Sequence, residues 1–326
     1  MKGAAARDDF PPFLPDGGRA GDGGERRASP EGRGDASVYM RTVAAVRSSP
    51  PNPPPSRRRA FPVLALACAL ALPAAAQQTV TVRTRPDAAG DVYRFQSDAR
   101  YAEKSPDGEA NQTNTQVFDL EVLGVTPDGV RMRYILREAR LTDTSGPAME
   151  TALKALIGVP LDFRLRNDGT LAGLDNWEAF KAKVLAGVDA ALPRLDTIRN
   201  IYHQRFGQEP LYAAQDMVLG DVRLMAIMEP VGATPLGSQV VTDHRRSPPG
   251  RALADVRVLK ADCTVRVTRA AVGGTSGVQQ DFTTDAVVSS RDGRVLTLMQ
   301  RRIERAGATS VDESVSIRRL SPAPAC

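Results

Sequence analysis

Apolar and polar positions alternate with a period of two along residues 79–142. Val80 and Val82 begin the pattern, and Val92-Tyr93-Arg94-Phe95 continues it. Val117-Phe118-Asp119-Leu120-Glu121-Val122 and Val130-Arg131-Met132-Arg133-Tyr134-Ile135-Leu136 then place charges between apolar side chains. A strand turns successive side chains to opposite faces, so this spacing predicts half-buried antiparallel strands with one wet side. Asp107-Gly108, Asp128-Gly129, Asp168-Gly169 and Asp292-Gly293 punctuate such runs. Glycine takes a positive φ without a Cβ clash and Asp tolerates the neighbouring position, so all four predict hairpin turns of a meander. None sits in an Asp-x-Asp-x-Asp-Gly series followed by a glutamate, which argues against calcium loops.

The period changes in the middle of the chain. Met149, Ala152, Leu153, Leu156 and Ile157 fall at helical spacing until Gly158-Val159-Pro160 stops them. A short strand over Leu161 to Arg166 follows. Asp175-Asn176-Trp177-Glu178 reads as a capping box opening a second helix along Trp177, Phe180, Val184, Val188 and Leu192. A third helix is expected over Arg194 to Phe206, with a further helical piece over Leu211 to Leu219. After Gly220 the strand signature returns, at Val222 to Ile227, Val256 to Leu259, Cys263 to Thr268, Phe282 to Ser289, Val295 to Ile303 and Val311 to Ile317. The expected fold is α+β: an antiparallel, curved, half-barrel-like sheet with a helical segment (147–219) inserted between two strand-rich halves (79–142 and 220–319).

Upstream, the pattern is that of an export signal. Arg57-Arg58-Arg59, the apolar run Ala60 to Leu72 and Pro73-Ala74-Ala75-Ala76 are its charged, apolar and small-residue blocks in order. Residues 56–76 are therefore expected to be removed by a cut between Ala76 and Gln77, leaving 77–326 as a single mature domain. The apolar run is 13 residues long, short of the ~20 needed to span a bilayer, which disfavours an anchor. Cys68 lacks a preceding Gly or Ser and sits inside the apolar run, which disfavours lipidation. Arg58-Arg59-Ala60-Phe61 has the look of a twin-arginine signal, so either export route stays open. Residues 1–55, rich in Gly, Pro, Arg, Asp and Ser, lack apolar periodicity and read as a disordered leader. Met40 offers an alternative start.

Charge and cysteine content narrow the function. Residues 1–76 carry 11 Lys+Arg and 7 Asp+Glu, whereas 77–326 carry 32 and 31. The basic character belongs to the leader, so a nucleic-acid role for the body is excluded. Cys263 and Cys326 survive cleavage, and in an oxidising compartment they can pair, closing a long loop for roughly 4 kcal/mol of stabilisation. The alternative is a small core residue and a terminal thiol. Cysteines are too few for a thiolate zinc site.

No catalytic constellation emerges. His203 and His244 each lack a second histidine at ligand spacing, and both read as structural or solvated. Gly273-Gly274-Thr275-Ser276-Gly277 lacks the strand-to-helix setting of a nucleophile elbow and reads as a hairpin loop. Asn111-Gln112-Thr113 matches a glycosylation acceptor but reads as loop. No metal ligand or cofactor is indicated, and the ligand-binding residues are unassigned. Tyr93, Phe95, Phe118, Tyr134, Phe163, Trp177 and Phe180 either line a greasy cavity or form plain core.

Ala155-Leu156-Ile157-Gly158-Val159-Pro160-Leu161-Asp162-Phe163-Arg164-Leu165, then Asn167-Asp168-Gly169-Thr170-Leu171 and Gly173-Leu174-Asp175, resemble a family of uncharacterised bacterial secreted or envelope proteins, a domain of unknown function. Asp281 to Leu320 adds a second likeness. The resemblance implies an envelope location and transfers no catalytic residue. The strands-helices-strands order is also similar in architecture to the half-barrels of bacterial lipoprotein carriers. The expectation is an exported periplasmic, non-catalytic binding or envelope-maintenance module for a lipid or other apolar ligand, with no transmembrane anchor in the mature chain. A hydrolase with spatially assembled carboxylates and a ligand-free interaction protein are the alternatives.

Overall fold

The computed structural model describes residues 78–106, 108–144, 147–243, 250–260, 263–275 and 278–325. The leader, the expected signal peptide, Ala76, Gln77, His244, Ser276 and Cys326 lie outside the described residues. In chain order the elements are β1 (Thr79–Val82), β2 (Val92–Ser105), β3 (Gly108–Thr126), β4 (Gly129–Asp143), α1 (Ala148–Lys154), β5 (Pro160–Arg166) and β6 (Leu171–Leu174). Next come α2 (Trp177–Ala191), α3 (Asp196–Phe206), α4 (Pro210–Met217) and α5 (Gly220–Ala226). The last are β7 (Gly232–Pro235), β8 (Gly237–Asp243), β9 (Gly250–Lys260), β10 (Thr264–Thr275), β11 (Val278–Ser289), β12 (Val295–Ala306) and β13 (Thr309–Arg319).

β2–β6 and β8–β13 form one 11-stranded antiparallel sheet in the order β6-β5-β4-β3-β2-β13-β12-β11-β10-β9-β8, open at β6 and β8. Every pairing joins neighbours in the chain except the seam between β2 and β13, where Ile317 faces Ser97. β1 and β7 make a separate two-stranded ribbon. The Asp-Gly turns fall where expected: Asp128-Gly129, Asp168-Gly169 and Asp292-Gly293 link β3 to β4, β5 to β6 and β11 to β12. Gly108 opens β3, and Asp107 lies outside the described residues.

α1, α2 and α4 pack on β4, β5 and β6, and the apolar side chains beneath them merge with those of the sheet into one core. The opposite side is wet and laced with cross-strand ion pairs. Asp119 accepts from Arg94 at 2.7 Å and Arg137 at 2.8 Å, Asp162 accepts from Arg133 at 2.7 Å, and Arg301 donates to Asp312 at 2.6 Å. Asp119 and Asp162 are buried beneath half-exposed arginines, whereas Arg301–Asp312 is exposed on both sides and stabilises by ~1 kcal/mol or less; all of them help to fix register.

Several expectations are corrected. Val222 to Ile227 belongs to helix α5 and the turn after it, not to a strand. Gly220, Asp221, Val222, Leu224, Met225 and Ala226 are all buried, and a segment enclosed on nearly every side shows no period that separates helix from strand. The capping box does not form. Asn176 precedes α2 but makes no cap; its Oδ1 accepts from Asp162 N at 2.8 Å and its Nδ2 donates to Pro160 O at 3.1 Å. Asp175 instead accepts from Arg131 at 2.6 Å. Asn111-Gln112-Thr113 lies within β3, and Gly273 to Thr275 extend β10 opposite Val278 to Gln280.

Candidate functional site

The helix-facing side of the sheet is built from two materials. On β2–β5 the inward positions are large: Phe95, Phe118, Tyr134, Met132, Leu161 and Phe163 are each 3% exposed or less. Phe118 lies 5.7 Å from Phe95 and 5.2 Å from Tyr134, centroid to centroid. Above them Trp177 meets Phe180 at 5.8 Å and Phe206 at 5.5 Å. All seven aromatic residues singled out from sequence lie in the core, and Phe95, Phe118 and Tyr134, and Trp177 and Phe180, stack among themselves. On β9–β11 the inward positions shrink to Ala252, Ala254, Val256, Val265, Val267, Ala271 and Ala286. Ala252, Ala271 and Phe282, with Val241, form a second apolar cluster apart from the main core.

Polar rows separate the two. One runs Asn114, Ala99, Val315, Gln300, Thr284 and Arg269; the next runs Gln112, Tyr101, Glu313, Arg302 and Phe282. Arg302 donates to Glu304 at 2.6 Å and Glu313 at 3.3 Å, and Gln280 donates to Glu304 at 2.8 Å. Asn114 is 7% exposed, and its Oδ1 has no partner among the described residues. Where the helical layer meets these rows, Asp221 of α5 is buried with a hydrogen bond from Ser97 near Tyr134. Burial pushes its carboxyl up to about 6 against that bond. The Tyr134 hydroxyl, itself raised by burial and by Asp221, donates to Gln116 at 3.4 Å.

At the other end of the sheet sits a buried ionic knot. Arg294 is 3% exposed. It donates to Asp87 Oδ2 at 2.7 Å and to Glu229 Oε2 at 2.7 Å, while Glu229 Oε1 accepts from Val295 N at 3.0 Å. Tyr93 donates to Asp87 at 2.9 Å. Its ring lies between Arg294 at 5.1 Å and Arg319 at 5.0 Å, and Arg319 reaches Asp292 at 2.7 Å. Burial lowers the pKa of Arg294, but Glu229 and Asp87 outweigh it, so the guanidinium is held charged. Fully satisfied, such a network fixes geometry more than it stabilises. Gly293 makes the approach possible: its φ is +71°, and a Cβ there would fall 2.8 Å from Arg83 Nε.

The sequence candidates do not converge. His203 Nε2 lies 3.0 Å from Asp189 between α3 and α2, about half exposed. Cys263 is disulfide-bonded, with its partner outside the described residues. Among the described residues no group of three or more His, Cys, Asp or Glu could hold a metal, and no helix is long and apolar enough to cross a membrane. The knot was invisible in sequence, because Arg294 is 207 residues from Asp87 and 65 from Glu229.

No family model matches the chain, and no curated protein matches it. Among solved structures it is similar to lipovitellin, in a structure concerned with lipid–protein interactions, at 11% identity and a TM-score of 0.43. That match covers 73% of this chain and 26% of the lipovitellin chain, so the chain spans about a quarter of that protein. It is also similar to a domain from Vibrio parahaemolyticus described as an outer membrane lipoprotein-sorting protein, at 8% identity and a TM-score of 0.18. This one covers 74% of this chain and 89% of that one. Neither likeness decides between the expected families. Their scores are too low to transfer a ligand.

Proposed function

We propose that the protein is exported, matures by cleavage between Ala76 and Gln77, and serves in the bacterial envelope as a non-catalytic binding module. Its sheet curves into a half-barrel whose trough over β9–β13 takes an apolar ligand with a polar end, such as a lipid. One observation carries this reading: the second apolar cluster of Ala252, Ala271, Phe282 and Val241, set apart from the core and edged by polar rows. Small inward side chains leave depth for an apolar body, and Asn114 Oδ1 offers a buried acceptor for the polar end.

Export has its own support. β1 starts at Thr79, and Gln78 O already accepts from Leu236 N at 2.8 Å, so a cut after Ala76 spares every pairing among the described residues. Removal of Cys68 with the signal would leave Cys326 as the partner of Cys263. The test is native mass spectrometry and intact-mass analysis of protein recovered from the envelope of an expressing bacterium. The expected result is a species beginning at Gln77, two hydrogens lighter than the dithiol, with extractable lipid bound. Protein retaining Arg57 in the cytosol, or a ligand-free protein that takes up no fluorescent acyl probe, would overturn it. A ligand-free interaction role is the second reading, favoured by the exposed outer row of Val240 and Leu253 with Val272 nearby. The same spectra, read for dimers or partners, separate the two.

A further inference from the structure

Arg83 is the one non-glycine among the described residues with a positive φ, +64°. A strained backbone persists only where the surroundings hold it, and such strain gathers at ligand clamps. Its side chain is 16% exposed and faces acids already engaged elsewhere. Asp87 Oδ2 is 3.5 Å away and Glu229 Oε2 3.9 Å, but each of those oxygens receives a 2.7 Å bond from Arg294. Among the described residues the side chain of Arg83 therefore has loose ion pairs in place of hydrogen bonds, and its buried Nε has no partner. Leaving that buried N–H unmet is costly. Burial and the neighbouring Arg294 both lower its pKa, as expected for a cation short of anions.

A cavity of about 180 Å³ opens beside it, lined by none of the trough residues. Its charged lining is Arg83, Arg166 and Arg294 against Asp87 and Glu229, one positive charge in surplus. The remaining wall includes Val125, Val130, Leu165 and Val231. The volume is below the roughly 300 Å³ of drug-sized pockets, so the occupant is small. We infer that this cavity binds a small organic monoanion, a carboxylate on a short aliphatic body, with Arg83 gripping the carboxylate and the valine and leucine side chains covering the tail. The surplus charge calls for a single negative charge, the apolar wall for a hydrocarbon part, and the fork of Arg83 suits a planar carboxylate.

The test is isothermal titration and thermal shift of the full chain with sodium butyrate, 1-butanol and inorganic phosphate, in wild type, Arg83→Gln and Val231→Phe. Butyrate should bind saturably and raise the melting temperature. Butanol and phosphate should bind roughly tenfold more weakly or worse, and each variant should lose butyrate by a similar factor. Val231 is 43% exposed, so its Phe variant folds while plugging the cavity with every charge kept. That variant decides the question if Arg83→Gln does not fold. No saturable butyrate binding, butyrate binding that Val231→Phe retains, or phosphate matching butyrate would overturn the assignment.

Discussion

The two ends of the sheet solve the same burial problem differently. Over β3–β6 the helices press large rings onto large rings, and Phe118, Phe163 and Phe206 are fully buried. Over β9–β11 the inward residues are mostly alanines and valines, with Phe282 among them, bordered by amides and charges. Close-packed aromatic stacks are rigid and unforgiving of lost volume, whereas small side chains along a polar border leave space. One end is a foundation; the other, on the function proposed above, is a receptacle.

The strongest way to sharpen that contrast is Phe118→Ala. It removes the centre of the ring stack and should destabilise by about 3–5 kcal/mol in urea unfolding; a loss near 1 kcal/mol would mean the foundation is looser than its geometry. Asp221→Asn comes next, at the boundary of the two materials. With its pKa pushed up to about 6 by burial, Asp221 binds its proton more tightly in the folded chain than in the unfolded one. Its contribution is present below about pH 4, is lost as pH rises to about 6, and is level above that. The Asn variant should therefore be about 3 kcal/mol more stable than wild type at pH 7 and nearly equal to it near pH 4. A constant difference across that range would break the account.

Ala271→Leu probes the receptacle. Added bulk in a filled core costs about 1–3 kcal/mol. Here the expected cost is under about 1 kcal/mol, together with loss of acyl-probe binding. The smallest effect should come from Val272→Thr on the outer side, where Val272 is 75% exposed. Stability should move by about 0.5 kcal/mol or less, and a larger change would point to a partner covering that row.

Local rules recovered the frame and missed the site. Period-two runs such as Val130 to Leu136 and the Asp-Gly turns were legible because one residue's neighbours decide them. The short edge strand β6 was not, since Leu171–Leu174 gains its identity only from pairing with β5. α5 was misread because tertiary enclosure erased its amphipathic signal. The ionic knot had no signature at all: Asp87, Glu229 and Arg294 look like ordinary surface charges until β12 and the helical segment bring them together. Arg83 likewise reads as a routine basic residue, and only its backbone angle sets it apart.

The seam between β2 and β13 bears on how the molecule is made. Hairpin neighbours can zip as soon as both arms leave the ribosome, but β2 must wait for a strand more than two hundred residues downstream. At translation speeds of about 5–20 residues per second that delay is on the order of 10–40 s. Throughout it a 14-residue strand edge stands open to any passing β-strand. Nascent chains of this protein should therefore lean on holding chaperones, and aggregation during synthesis should begin at β2.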